Sequence, residues 1–144
     1  MGDGKPCHFM DIYRPKSYKG KLPVMFNLHG GGFLLGKKEE GHLFCAEMSR
    51  KGFLVFSLEY PLAPETLFPQ ILKDLMTGME NTWSSIESYD GDRTRIYMTG
   101  TSAGASLCIL SAVISQHITI RCNQKGGRQM PEDHFIFGID IWIK

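Results

Sequence analysis

Read for its apolar positions, the chain gives three runs that stop at glycine or proline: LPVMFNLHG (22–30), FLVFSLEYP (53–61) and RIYMTG (95–100). Several are apolar at nearly every position instead of alternating, which is the pattern of strands covered on both faces. A fourth run, FIFGIDIWI (135–143), nearly reaches the last residue, and FMDIYRP (9–15) is a weaker fifth. Between the runs the period changes. Ile71, Leu72, Leu75, Met79 and Trp83 recur at three- and four-residue steps behind Pro69, which predicts a helix from about Phe68. Residues 40–51 end in Arg50 and Lys51 before Gly52, a cationic last turn with a glycine stop. Residues 103–116 carry Leu107, Leu110 and Ile114 on one side and Cys108, Ile109 and Val113 on another. That helix is expected to be buried nearly all round. Strand and helix alternate, so the expected class is α/β with a doubly wound, mainly parallel sheet.

Composition acts mainly by exclusion. A chain of 144 residues holds one domain with a real core. Apolar residues at 42% and charged residues at 22% are ordinary globular usage, which argues against disorder or a fibrous repeat. A net charge of +1 with both signs interspersed gives no support to a nucleic-acid or membrane partner. No apolar stretch approaches the ~20 residues of a spanning helix, and MGDGKPCHFM lacks the apolar core of a signal peptide, so a cytoplasmic protein is expected. Cys7, Cys45, Cys108 and Cys122 form no C-x-x-C pair, which argues against a zinc site, and no cofactor is expected. A dinucleotide-binding reading fails because no G-x-G-x-x-G follows a strand.

In open α/β sheets, sites form at the carboxyl ends of strands. Ser102 stands at one such end, in GTSAG, which fits G-x-S-x-G, the strand-turn-helix elbow whose small flanking residues tolerate a strained backbone and leave the hydroxyl exposed. A small-residue turn capped by Ser102 would read the same way. NLHGGGF (27–33) follows another strand, and consecutive glycines let backbone N–H groups converge on the oxygen that becomes negative when a serine attacks an acyl carbonyl. Its bland counterpart is a flexible glycine turn. Both features lie at strand ends, in the order an acyl-transfer site needs.

HGGGF, then EYPLAPETLFPQILKDL (59–75), then DRTRIYMTGTSAGAS (92–106) together resemble the hormone-sensitive lipase branch of esterases within the α/β-hydrolase fold. The likeness runs from about Asp11 to about Ile114. It implies a single partial α/β-hydrolase domain over 1–144, its sheet cut after about the sixth strand. It also implies a carboxylesterase or lipase-type serine hydrolase with a small acyl-ester substrate, proceeding through a Ser102 acyl-enzyme. Gly31, Gly32 and Ala103 would supply the oxyanion hole. His29, Gly30, Gly100 and Gly104 would be structural neighbours of the site, with His29 steadying the loop, and Pro64 and Glu65 would shape the passage from sheet to helix. Thr101, Ala105 and Pro61 depart from the Asp, Gly and Arg usual in the family.

A serine hydroxyl needs a base within ~3 Å, itself oriented by a carboxylate. In α/β-hydrolases the chain order is Ser, acid, His. His117 lies fifteen residues beyond Ser102 along the expected helix, ~22 Å away at 1.5 Å per residue. His134 precedes the last apolar run and would sit ~25 Å below the site if that run is a parallel strand, with Asp140 inside the strand. The acid and base are therefore expected to be missing, and the chain to be a fragment with little activity alone. The alternative is a non-catalytic binding or interaction module on the same sheet. An apolar edge at 135–143 would in either case favour self-association.

Overall fold

The computed structural model describes residues 9–123. The weak run at 9–15 forms β1 (Met10–Tyr13), and the next two form β2 (Leu22–Leu28) and β3 (Leu54–Leu58). RIYMTG proves to be the second half of a longer strand, β4 (Gly91–Gly100). The helices are α1 (His42–Arg50), α2 (Gln70–Ser85) and α3 (Ala103–Asn123). The run at 135–143, with the sheet edge expected of it, lies outside the described residues, as do Cys7, His8, His134 and Asp140.

The strands are ordered β1-β3-β2-β4. β2 pairs in parallel with both β3 and β4, while β1 joins β3 antiparallel, so the sheet is mixed and mainly parallel. Three parallel strands therefore deliver their carboxyl ends to one edge, with β2 in the middle. The pleat sends alternate residues to opposite faces. Val24, Phe26 and Leu28 of β2 and Leu54, Phe56 and Leu58 of β3 join Ile71, Leu72 and Leu75 of α2 and Leu107 of α3 in one core. Met25 and Val55 turn the other way, to Cys45 and Met48 of α1. Helices thus cover both faces, the doubly wound arrangement expected. Leu28, Leu54, Phe56 and Leu107 have no exposed surface, and full burial of such a side chain contributes ~1.5–3 kcal/mol.

Two local features depart from the regular pattern. β2 and β4 slip in register between Pro23 and Val24, whose partners are Asp92 and Ile96, so residues 93–95 bulge from β4. The Asp92 carboxylate accepts from the Thr94 hydroxyl at 2.6 Å, the Thr94 N–H at 2.9 Å and Arg95 Nε at 2.7 Å. Those hydrogen bonds, Thr94's first, lower its pKa to about 2. The expectation for α3 needs correction: Leu107, Cys108 and Ser111 are buried, but Ile109 and Val113 are 41% and 51% exposed. A helix lays one stripe on a sheet, and the row through Ile109 and Val113 lies outside that stripe. α1 ends as its sequence implies, with Gly52 at φ 97° and its N–H on the Ser49 carbonyl at 3.0 Å.

Candidate active site

β2 and β4 end side by side, Leu28 opposite Gly100, and each hands over to one half of the site. Past Gly100 the chain turns at once. Thr101 N–H donates to the Leu28 carbonyl at 3.2 Å, Ser102 takes φ 51°, and α3 begins at Ala103. A left-handed backbone costs an L-residue roughly 1–2 kcal/mol. Ser102 is exposed, and among the described residues its hydroxyl has no hydrogen-bond partner. The two glycines around it answer to contact. A Cβ at Gly100 would lie 2.5 Å from the Gly104 carbonyl carbon, and one at Gly104 would run into the Leu28 and His29 carbonyl oxygens. Strand and helix approach too closely for any side chain at either position.

The glycine loop leaves β2 through His29. Gly31 sits at φ 113° and Gly32 at φ 62°, both exposed, and the Gly31 carbonyl accepts from Leu34 and Leu35 N–H at 3.1 and 3.0 Å. Only glycine adopts the Gly31 conformation freely. Among the described residues, the N–H groups of Gly31 and Gly32 donate to no protein acceptor. Ala103 N–H, in the first turn of α3, has no intrahelical acceptor either. Loop and elbow touch: a Cβ on Gly30 would stand 3.0 Å from the Thr101 carbonyl oxygen. The Phe33 carbonyl accepts from Ala63 N–H at 2.8 Å, which fastens the loop to the YPLAPE passage, where Pro64 and Glu65 are exposed.

His29 is buried beneath this loop. Its ring stacks on Tyr60 with centroids 4.1 Å apart and planes within 8°, and the Tyr60 hydroxyl donates to the His29 carbonyl at 2.7 Å. Nδ1 lies 2.7 Å from the Gly30 carbonyl oxygen and Nε2 lies 3.1 Å from Glu59 Oε1. Burial opposes protonation of this ring, but the hydrogen bonds to Glu59 and Gly30 and the Glu59 charge outweigh it, and its pKa is raised. Glu59 Oε2 accepts from Lys38 N–H at 3.1 Å, and Lys38 Nζ reaches Asp11 Oδ1 at 2.8 Å.

The other described histidine side chain, His42, is exposed at the start of α1, against the opposite face of the sheet. The backbone of α3 carries His117 fifteen residues beyond Ser102. Burial pushes the Cys108 thiol up to about 12 and raises Cys45 as well, so neither is a competing thiolate nucleophile. Among the described residues no three His, Cys, Asp or Glu side chains are grouped to hold a metal ion, and no helix is long and apolar enough to cross a membrane.

Glu59 and Tyr60 have no role of their own in the sequence reading. The signal that finds them is register: Leu28 pairs with Leu58 in parallel strands, so the residues that follow, His29 and Glu59, emerge side by side.

Known proteins agree with this architecture. A probable isoprenylcysteine alpha-carbonyl methylesterase of Arabidopsis thaliana is 31% identical over 109 residues, 76% of this chain and 23% of the relative. The versiconal hemiacetal acetate esterase of Dothistroma septosporum is 34% identical over 101 residues, 68% of this chain and 30% of the relative. The chain thus spans about a quarter to a third of the length of these curated relatives. Among solved structures, a bacterial heroin esterase superposes with a TM-score of 0.66 at 31% identity, covering 83% of this chain and 36% of its own. Esterase B of Lactobacillus rhamnosis superposes at 0.79 with 21% identity, covering 96% and 45%, a likeness of fold. The BD-FAE family model matches residues 10–136, and with the esterase relatives and the α/β-hydrolase sheet it places the chain in that family.

Proposed function

We propose that the chain is the nucleophile-bearing part of a serine hydrolase domain that cleaves carboxylic esters through an acyl-enzyme on Ser102. The observation that carries this reading is the positive φ of Ser102 at the carboxyl end of β4, with its hydroxyl exposed beside a glycine loop that leaves the neighbouring strand. Ser102 Oγ bonds to the ester carbonyl carbon, and its proton passes by way of a base to the departing alcohol oxygen as the ester C–O bond breaks. Water repeats the attack on the acyl-enzyme and frees the acid. The carbonyl oxygen turns negative at each addition, and the N–H groups of Gly31, Gly32 and Ala103 are the donors proposed to stabilise it. Gly30, Gly100 and Gly104 let loop and elbow pack together closely enough for that. A small acyl ester is the proposed substrate class, in keeping with the esterase names of the relatives.

The base is not His29, because a carbonyl and a carboxylate already occupy both of its ring nitrogens. His42 stands on the wrong face of the sheet. The proposed acid and base therefore come from outside the described side chains, consistent with the share of its relatives that this chain spans. The test is p-nitrophenyl ester hydrolysis by a protein containing this sequence and extended to its relatives' length, against the 144-residue chain. Turnover confined to the extended protein and abolished by Ser102→Ala is expected. Equal turnover with Ser102→Ala would remove the serine from the chemistry.

A further inference from the structure

We infer that Glu59 is a positioning residue that clasps both ends of the glycine loop and holds His29 as a doubly protonated imidazolium. The inference rests on reading that loop as the oxyanion loop. The geometry is a closed bracket. Between His29 and Lys38 the chain contains the three consecutive glycines, Phe33 at φ 66° and Gly36 at φ 108°, a segment with little conformational preference of its own. One carboxylate spans it: Oε1 faces His29 Nε2 at the start, and Oε2 accepts Lys38 N–H at the end. Closing a loop of this length by a side chain that projects from another strand removes much of its freedom.

The proton count follows from the partners. A neutral imidazole has one N–H and one lone pair. Here Nδ1 faces the Gly30 carbonyl oxygen at 2.7 Å and Nε2 faces the Glu59 carboxylate at 3.1 Å, two acceptors, so both nitrogens must donate. The charged groups around the ring favour that state. Glu59 and Tyr60 follow the end of β3, Glu40 adds negative charge from the segment before α1, the Tyr60 ring covers the imidazole face, and Lys38 is turned toward Asp11 and Glu39. The side chain of His29 is 1% exposed and that of Glu59 19%, so water screens the pair poorly. A ring whose two nitrogens both donate, to the Gly30 carbonyl and to Glu59, accepts nothing from Ser102.

The test uses the 144-residue chain and nitrogen-15 NMR of the His29 ring, assigned against His29→Gln, with amide exchange of Leu34, Leu35 and Lys38, whose N–H groups are hydrogen-bonded in the loop. In the wild type both ring nitrogens are expected to be protonated at ~pH 6.5, the ordinary histidine midpoint, with a titration midpoint above it. Glu59→Gln leaves one acceptor and removes the charge. The midpoint is expected to fall, and exchange at the hydrogen-bonded loop amides of Leu34, Leu35 and Lys38 to rise at least ~10-fold while Val55 and Phe56 amides are unchanged. Glu59→Asp keeps the charge and should preserve a raised midpoint. A wild-type ring with one bare nitrogen well below that pH overturns the inference without any variant. So does a folded Glu59→Gln chain that titrates and exchanges as the wild type does. Failure of Ser102 chemistry in an extended protein would count against the hydrolase reading and leave these ring signals where they are.

Discussion

The loop after β2 and the elbow after β4 sit side by side at the same sheet edge, yet they are fixed by different physics. The elbow is held sterically. Gly100 and Gly104 let strand and helix backbones meet closely, and Ser102 takes its left-handed conformation at the turn between them. The loop is held by polar groups: His29 on Tyr60, Tyr60 on the His29 carbonyl, and Glu59 on both His29 and Lys38. A steric lock tolerates no added atom but is indifferent to pH. A polar clasp tolerates small changes of shape, yet it depends on where each proton is.

The contrast breaks most sharply at Gly104. Gly104→Val would drive a branched side chain into the Leu28 and His29 carbonyls, so an expected loss of ~3 kcal/mol or more should show as a collapse of the urea midpoint. A near wild-type midpoint would mean that the elbow is held some other way. Gly31→Pro deletes a loop N–H and cannot adopt φ 113°. In an extended, active protein it should lower kcat on a p-nitrophenyl ester at least ~10²-fold, and unchanged turnover in a folded variant would remove the loop from the mechanism. Tyr60→Phe keeps the stacked ring but loses the hydroxyl that donates to the buried His29 carbonyl. About 1 kcal/mol of stability is expected to go with it, read by chemical denaturation.

The smallest effect is the one with a sign. Because the folded pKa of His29 is raised, its protonation stabilises the fold fully below the ordinary value of ~6.5, and that contribution is lost as pH rises through the folded value. Wild type minus Glu59→Gln stability should therefore shrink from pH 6 upward. A difference that grows with pH would reverse the assignment of the proton. The elbow variants should show no such trend.

What the sequence revealed, and what it hid, divides along the same line. Runs of apolar residues were enough for β2 and β3, since burial on both faces leaves a mark at nearly every position, and for the end of β4, where Ile96 is buried and its neighbours half-buried. The elbow was legible because a steric lock is written in contiguous residues, Gly100 to Gly104. The clasp was not, because Glu59 and His29 are thirty residues apart and meet only through the parallel register of β2 and β3. For the same reason nothing local announces that Asn27 Nδ2 donates to Ser57 Oγ at 3.2 Å inside the sheet. The slip at residues 93–95 hid the first half of β4 in a polar stretch, and the apolar content of α3 overstated its burial, since composition alone does not say which stripe meets the sheet.

Covalent capture separates a serine mounted as a nucleophile from one that merely caps a turn. A fluorophosphonate probe reacts with an activated serine, and peptide mass analysis locates the adduct. An extended protein should be labelled rapidly and stoichiometrically on the peptide that contains Ser102, its Ser102→Ala variant not at all, and the 144-residue chain only slowly, because the proposed oxyanion donors acting alone would leave a small residual effect. Labelling of the extended protein at another residue, or none at Ser102 under conditions that saturate a known serine hydrolase, would contradict the account.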